Sequence, residues 1–253
     1  MKYSKILIGI ILIFFISLSF LFFENYIVVD DVMSNLQLHL GKKVNLSFLS
    51  KDEIKEYAIG NINGDNKDYL VILTGARWRK YGKEVVIFSL EDDPKEIYRR
   101  DFSEFKPWKI AIGDIDGDGK YEVSIGMYKK SPLHQVMAKR PFIYSFAHGK
   151  LEPKWRGSRL SRPFDDYIFS DIDKDGIDEI VAIEILEDNR KVINTYKWKG
   201  FGFEGYLETK DYEDISKLWI DQGILYTKTK EGKGKYLGLI KLEGNNLIIE
   251  RED

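Results

Sequence analysis

Apolar residues in this chain fall mostly into short runs broken by glycine, asparagine and aspartate. Runs of that length, bounded by turn residues, predict strands rather than helices. One run is different: "KILIGIILIFFISLSFLFF" carries no charge from Ile6 to Phe23. As a helix this stretch is about 27 Å long, close to the ~30 Å hydrocarbon core of a bilayer. Lys2 and Lys5 precede it, and Glu24, Asp30 and Asp31 follow. That asymmetry predicts a single-pass anchor over 6–23 with its N-terminus in the cytoplasm and the rest of the chain outside. A cleaved signal peptide is the alternative, although its apolar part is usually shorter.

Beyond residue 50 the pattern repeats. "EYAIGNINGDNKDYLVILTG", "WKIAIGDIDGDGKYEVSIGM" and "DYIFSDIDKDGIDEIVAIEI" start at Glu56, Trp108 and Asp166. In each, an apolar strand enters a polar loop and a second strand leaves it. Two further runs follow: "EVVIFSL" and "KEIYRRDF", then "PFIYSFAHG" and "KLEPKWRG", then "KVINTYKW" and "GFEGYLET". Four strands in a period of about 55 residues predict the blades of a β-propeller. The tail, from "ISKLWIDQGILYTKTK" onward, offers four more strands, with "DQG" where the other units have the polar loop. The expected fold is all-β, a propeller of about four blades (five being the alternative) over 51–253. The blades lie near 51–104, 105–161, 162–211 and 212–253, behind a stalk or ring-closing strand at 24–50. "KKSPLHQVMAKRP", from Lys129, reads as a longer loop over one face.

Composition narrows the chemistry. There is no cysteine, which removes disulfides, zinc–thiolate sites and thiol nucleophiles. The net charge of −2 argues against a general nucleic-acid binder. No serine stands in a nucleophile elbow and no glycine-rich loop precedes a helix, so a binding role is expected, with an enzyme acting on cell-surface polysaccharide (a calcium-assisted lyase or hydrolase) as the alternative.

The candidate chemistry is in the loops. Two read D-x-D-x-D-G-x-x-E: Asp114, Asp116, Asp118, Gly119 and Glu122, then Asp171, Asp173, Asp175, Gly176 and Glu179. Carboxylates so close repel one another unless something positive lies among them. If the loop curls, the acids converge, Lys120 or Ile177 offers a backbone carbonyl, and the glutamate closes the shell. Such a hard oxygen set suits Ca²⁺. An EF-hand would need a glutamate at its twelfth position, where Ile125 and Ala182 stand instead. The first loop is poorer in charge, with Asn61, Asn63 and Asp65, then Asn66 in the glycine position and Tyr69 in place of the glutamate. It is expected to bind calcium more weakly.

These loops, recurring at blade spacing, resemble the FG-GAP or VCBS repeats of integrin-like propellers over roughly 51–253, more weakly after about 210. The resemblance implies structural calcium in loops joining the first two strands of a blade. It implies no reaction. The expected partner is a protein or glycan at the cell surface, met on the face away from the calcium. Tryptophan precedes a base at Trp78, Trp108, Trp155 and Trp198, which predicts a repeated wedge between blades. The stretch holding Trp155, Arg156, Arg159 and Arg162 is the candidate partner surface, suited to an acidic polymer or protein.

Overall fold

The computed structural model describes residues 54–252, apart from Arg77, Asp92, Asp93, Ser158 and Lys233. The apolar span 6–23 and the stretch 24–50, expected as a stalk or ring-closing strand, lie outside the described residues. Among the described residues, sixteen strands form four antiparallel four-stranded sheets, each following the chain from strand to neighbouring strand. They are the four blades of a β-propeller.

The first blade is β1 (Ile54–Gly60), β2 (Tyr69–Thr74), β3 (Glu84–Ser89) and β4 (Lys95–Asp101). The second is β5 (Pro107–Gly113), β6 (Glu122–Ser131), β7 (His134–Ala147) and β8 (Lys150–Trp155). The third is β9 (Phe164–Ser170), β10 (Glu179–Ile185), β11 (Lys191–Trp198) and β12 (Phe203–Glu208). The fourth is β13 (Asp214–Asp221), β14 (Ile224–Glu231), β15 (Gly234–Glu243) and β16 (Asn246–Arg251).

The runs are apolar for a packing reason. In the first three blades the second strand is covered on both faces, so its residues need not alternate, whereas β14 of the fourth blade does alternate. Tyr69–Leu73, Glu122–Met127 and Glu179–Glu184 are accordingly buried without a break. The outermost strands β4 and β12 are mostly exposed. Between the first two blades Val71, Leu73, Val85 and Ile87 meet Ile110, Val123, Ile125 and Phe142. Ile143 and Ile115 meet Tyr167, Phe169 and Ile180 between the second and third. Val181 and Ile193 meet Ile215, Leu225 and Ile240 between the third and fourth. The innermost strands approach so closely that a Cβ on Gly113 would lie 2.4 Å from the Cβ of Phe169.

The chain at 129–141 is not a loop. β6 runs to Ser131 and β7 starts at His134, with Tyr128 opposite Lys139 and Lys129 opposite Ala138. Arg140 holds this hairpin from inside. Fully buried, it donates to the carbonyls of Lys129 at 2.8 Å, His134 at 3.0 Å and Val136 at 2.9 Å. In the fourth blade Gln222 and Gly223 both take positive φ and close a two-residue hairpin.

Candidate metal centre

The two aspartate loops are wired alike. In the second blade Asp114 lies under its own loop and accepts the backbone N–H of Gly117 at 2.7 Å and of Gly119 at 2.8 Å. Asp171 does the same for Asp175 and Gly176, both at 3.0 Å. Gly119 and Gly176 take φ of 78° and 87°, where a side chain is costly. Asp118 and Asp175 accept the N–H of Lys120 and of Ile177, both at 2.9 Å. Glu122 and Glu179 reach back from the start of the second strand to the N–H of Ile115 and Ile172.

The result is two convergent trios. Carboxylate oxygens of Asp114, Asp116 and Glu122 lie within 4.8 Å of one another, as do those of Asp171, Asp173 and Glu179. Asp118 and Asp175 stand outside the trios. Glu122 and Glu179 are almost wholly buried. Burial pushes the Glu122 carboxyl above its ordinary value, and pushes Glu179 up to about 7, with Asp173 adding to it.

The donor set fits a hard cation. The buried Oδ1 of Asp173 and Oε1 of Glu179 have no hydrogen-bond donor. A positive charge already lies beside each trio, and the sequence reading missed it. Lys154 Nζ is 2.5 Å from Asp116 and 2.7 Å from Glu122. Lys197 Nζ is 2.6 Å from both Asp173 and Asp175, and 3.3 Å from Glu179 without the alignment of a hydrogen bond. Although burial works against it, these carboxylates hold the Lys197 ammonium above the usual lysine range. A divalent ion in either trio would have to displace an ammonium.

The first loop has no glutamate, and its lysine, Lys67, pairs with Glu91 outside the loop. Asn61 Oδ1 accepts the Gly64 N–H at 3.0 Å, and Asp65 takes the Tyr69 hydroxyl at 2.7 Å and the Asn63 amide at 3.1 Å. Its polar groups satisfy one another. Burial, reinforced by Asp65, pushes the Tyr69 phenol up to about 12.

The three loops are also joined. Tyr121 N–H donates to the Asn61 carbonyl at 2.9 Å, and Asp178 N–H to the Asp114 carbonyl at 2.7 Å. The Asp178 carboxylate returns a bond from the Asp114 N–H at 2.8 Å. Burial, with Asp171 and Asp114 nearby, pushes Asp178 up to about 6.

The arginine stretch divides. Trp155 and Arg159 line a cleft of about 290 Å³ with Leu160, Ser161, Tyr196, Phe203 and Gly205. Arg156 is exposed. Arg162 is committed elsewhere, paired with Glu184 at 3.2 Å and with Glu208. Of the four Trp–base pairs, Trp108, Trp155 and Trp198 pack against the core between the second and third blades, while Trp78 is 81% exposed. No protein-family model matches the chain, and no curated protein matches it significantly.

Proposed function

We propose that this chain is a calcium-binding propeller of the FG-GAP/VCBS type, anchored in the cell membrane through 6–23, with the propeller outside. It acts as a binding module for a protein or glycan. The observation that carries the calcium reading is the pair of trios: two loops, one in each of two neighbouring blades, each converge three carboxylates within 4.8 Å. Asp114, Asp116 and Glu122 would hold one ion and Asp171, Asp173 and Glu179 the other. Bound calcium would supply the charge that lets each loop keep its acids ionised and its curl fixed. The anchor is supported by the uncharged run between basic and acidic flanks.

Thermal unfolding of the full chain in mild detergent, with millimolar calcium and then with chelator, tests the metal. An ion at ~100 times its dissociation constant adds about 2.7 kcal/mol per site found only in the folded state. The midpoint should rise with calcium, and the rise should shrink in Asp116→Ala and again in Asp173→Ala. Equal midpoints in calcium and chelator would leave the lysines as the permanent occupants and end the calcium reading.

A further inference from the structure

The face opposite the aspartate loops carries a cleft that the metal chemistry does not use. Its volume is about 300 Å³, and Lys80, Tyr81, Trp108, Tyr128 and Lys139 line it. Lys80 and Tyr81 come from the connection between β2 and β3. Trp108 lies at the start of β5. Tyr128 and Lys139 face each other across the β6–β7 hairpin. The cleft lies on the side where β5 begins, remote from the aspartate loop at the other end of that strand.

The cleft is cationic and aromatic together. Tyr81 and Tyr128 stack with centroids 5.7 Å apart and planes at 9°. Lys106 Nζ lies 6.0 Å from one ring centroid and 5.9 Å from the other. Lys139 Nζ is 4.3 Å over Trp108, and Lys80 Nζ 5.6 Å from Tyr81. No carboxylate lines the cleft, and neither Lys80 nor Lys106 has an acidic partner among the described residues. Asp165 and Asp166, the acids nearest Lys139, are paired with Lys191 at 2.7 Å and Lys109 at 2.9 Å. Lys139 itself donates to the Asp165 carbonyl, and burial holds it below the usual lysine range. The indole Nε1 of Trp108 is buried without a partner. Lys80 and Lys139 line one opening, and Lys106 lies against the tyrosine rings beside it. Although Asp165 and Asp166 offset part of the Lys139 charge, ammonium groups this close repel one another, and an anion bound among them relieves that cost.

We infer that this cleft binds one anionic sugar ring of an acidic glycan. The charged group sits among Lys80, Lys106 and Lys139, and the C–H face of the ring lies on the aromatic wall. The volume, at the lower end of small-molecule clefts, accommodates one such unit. Tyr81 and Tyr128 fill the space between their own rings, so no slot remains there for a flat nucleobase. The chain's net charge of −2 does not draw in nucleic acid. The inference rests on the reading of the chain as a glycan-binding module, and not on its calcium.

The experiment is calorimetric titration of the full chain in mild detergent with tetragalacturonate, and with cellotetraose as the uncharged counterpart. Tetragalacturonate should bind at least tenfold more tightly, and its affinity should fall with added salt. The double variant Lys80→Met/Lys106→Asn should lose tenfold or more. Asparagine suits position 106 because Lys106 has a φ of 52°. Tyr128→Leu should weaken tetragalacturonate with the lysines intact. Equal affinity for cellotetraose would overturn the anionic assignment while leaving a glycan-binding module standing. No binding of tetragalacturonate, or an affinity unmoved by the lysine pair, would overturn the cleft itself. The calcium midpoints are measured separately and do not change with either outcome.

Discussion

Lys154 and Lys197 bring the same charge to equivalent loops from positions that are not equivalent. Tyr144 faces Val123, the residue after Glu122, and Tyr196 faces Ile180, the residue after Glu179. The next residue along is Ser145 in one blade and Lys197 in the other. On the outer strand Tyr144 pairs with Pro153 and Tyr196 with Gly205, so Lys154 and Tyr206 correspond. One blade therefore uses serine and lysine, the other lysine and tyrosine, and the Tyr206 hydroxyl reaches Asp173 at 2.9 Å. The first loop, with no glutamate, has no lysine at either of these cross-strand positions, where Ser89 and Ile97 stand, and its own Lys67 pairs with Glu91. The match of one ammonium to each acidic trio is a charge requirement and not an accident of the surface. Lys197→Met removes that cation and leaves Glu179 buried beside Asp173. Without calcium it should cost about 2–3 kcal/mol, below the ~3–5 for a fully buried pair because Asp175 is partly in solvent. Calcium should recover most of the loss, since the ion then enters without displacing an ammonium. Melting the variant in chelator and in calcium reads this directly. A deficit equal in both would show that calcium does not enter the third blade.

Hairpins and loops differ in how much of them the sequence discloses. The strands flanking the aspartate loops are legible because a strand covered on both faces is written as an unbroken apolar run, as in "YLVIL" and "EIVAI". The loops are legible because their spacing is local. The lysines were not, since Lys154 and Lys197 reach the trios only through strand register, which no short window contains. The β6–β7 hairpin was misread for another reason: "KKSPLHQ" has turn composition, and Pro132 breaks the apolar pattern. What makes it a hairpin is Arg140, whose guanidinium replaces missing apolar contacts with bonds to three carbonyls. Buried and without a carboxylate partner among the described residues, it holds the tip in one shape. Arg140→Leu should cost about 2–4 kcal/mol by orphaning those carbonyls, and hydrogen exchange should rise at 129–138 before it rises elsewhere. Uniform exchange across the blade would mean that Arg140 supports the core and not the hairpin.

At the scale of the whole molecule, one column of the repeat places charge on the innermost strand of every blade. Glu56, Lys109 and Asp166 occupy the same place relative to Asn61, Asp114 and Asp171, and Lys217 the corresponding place before Gln222. They lie on β1, β5, β9 and β13, so charge alternates from blade to blade. Lys109 pairs with Asp166 at 2.9 Å, both largely buried, and Asp166 also accepts the Leu218 N–H at 3.2 Å. Burial raises the Glu56 carboxyl, while Lys109 and Lys217 pull it down. This column was visible once the loops were aligned, but each residue alone passes for an ordinary charge on a strand. The alternation lets the neighbouring innermost strands β1, β5 and β9 pack with Lys109 between two acids, and helps fix which blade sits beside which. Lys109→Met therefore leaves two acids facing one cation, and should cost on the order of 3 kcal/mol. Asp166→Asn added to it should return much of that loss, because the uncompensated charge and not the missing bond carries the cost. Denaturant unfolding of the two variants separates these terms. If Lys109→Met costs less than about 1 kcal/mol, or the double variant is no more stable than the single, the column is solvated and the blades are ordered by their apolar faces alone.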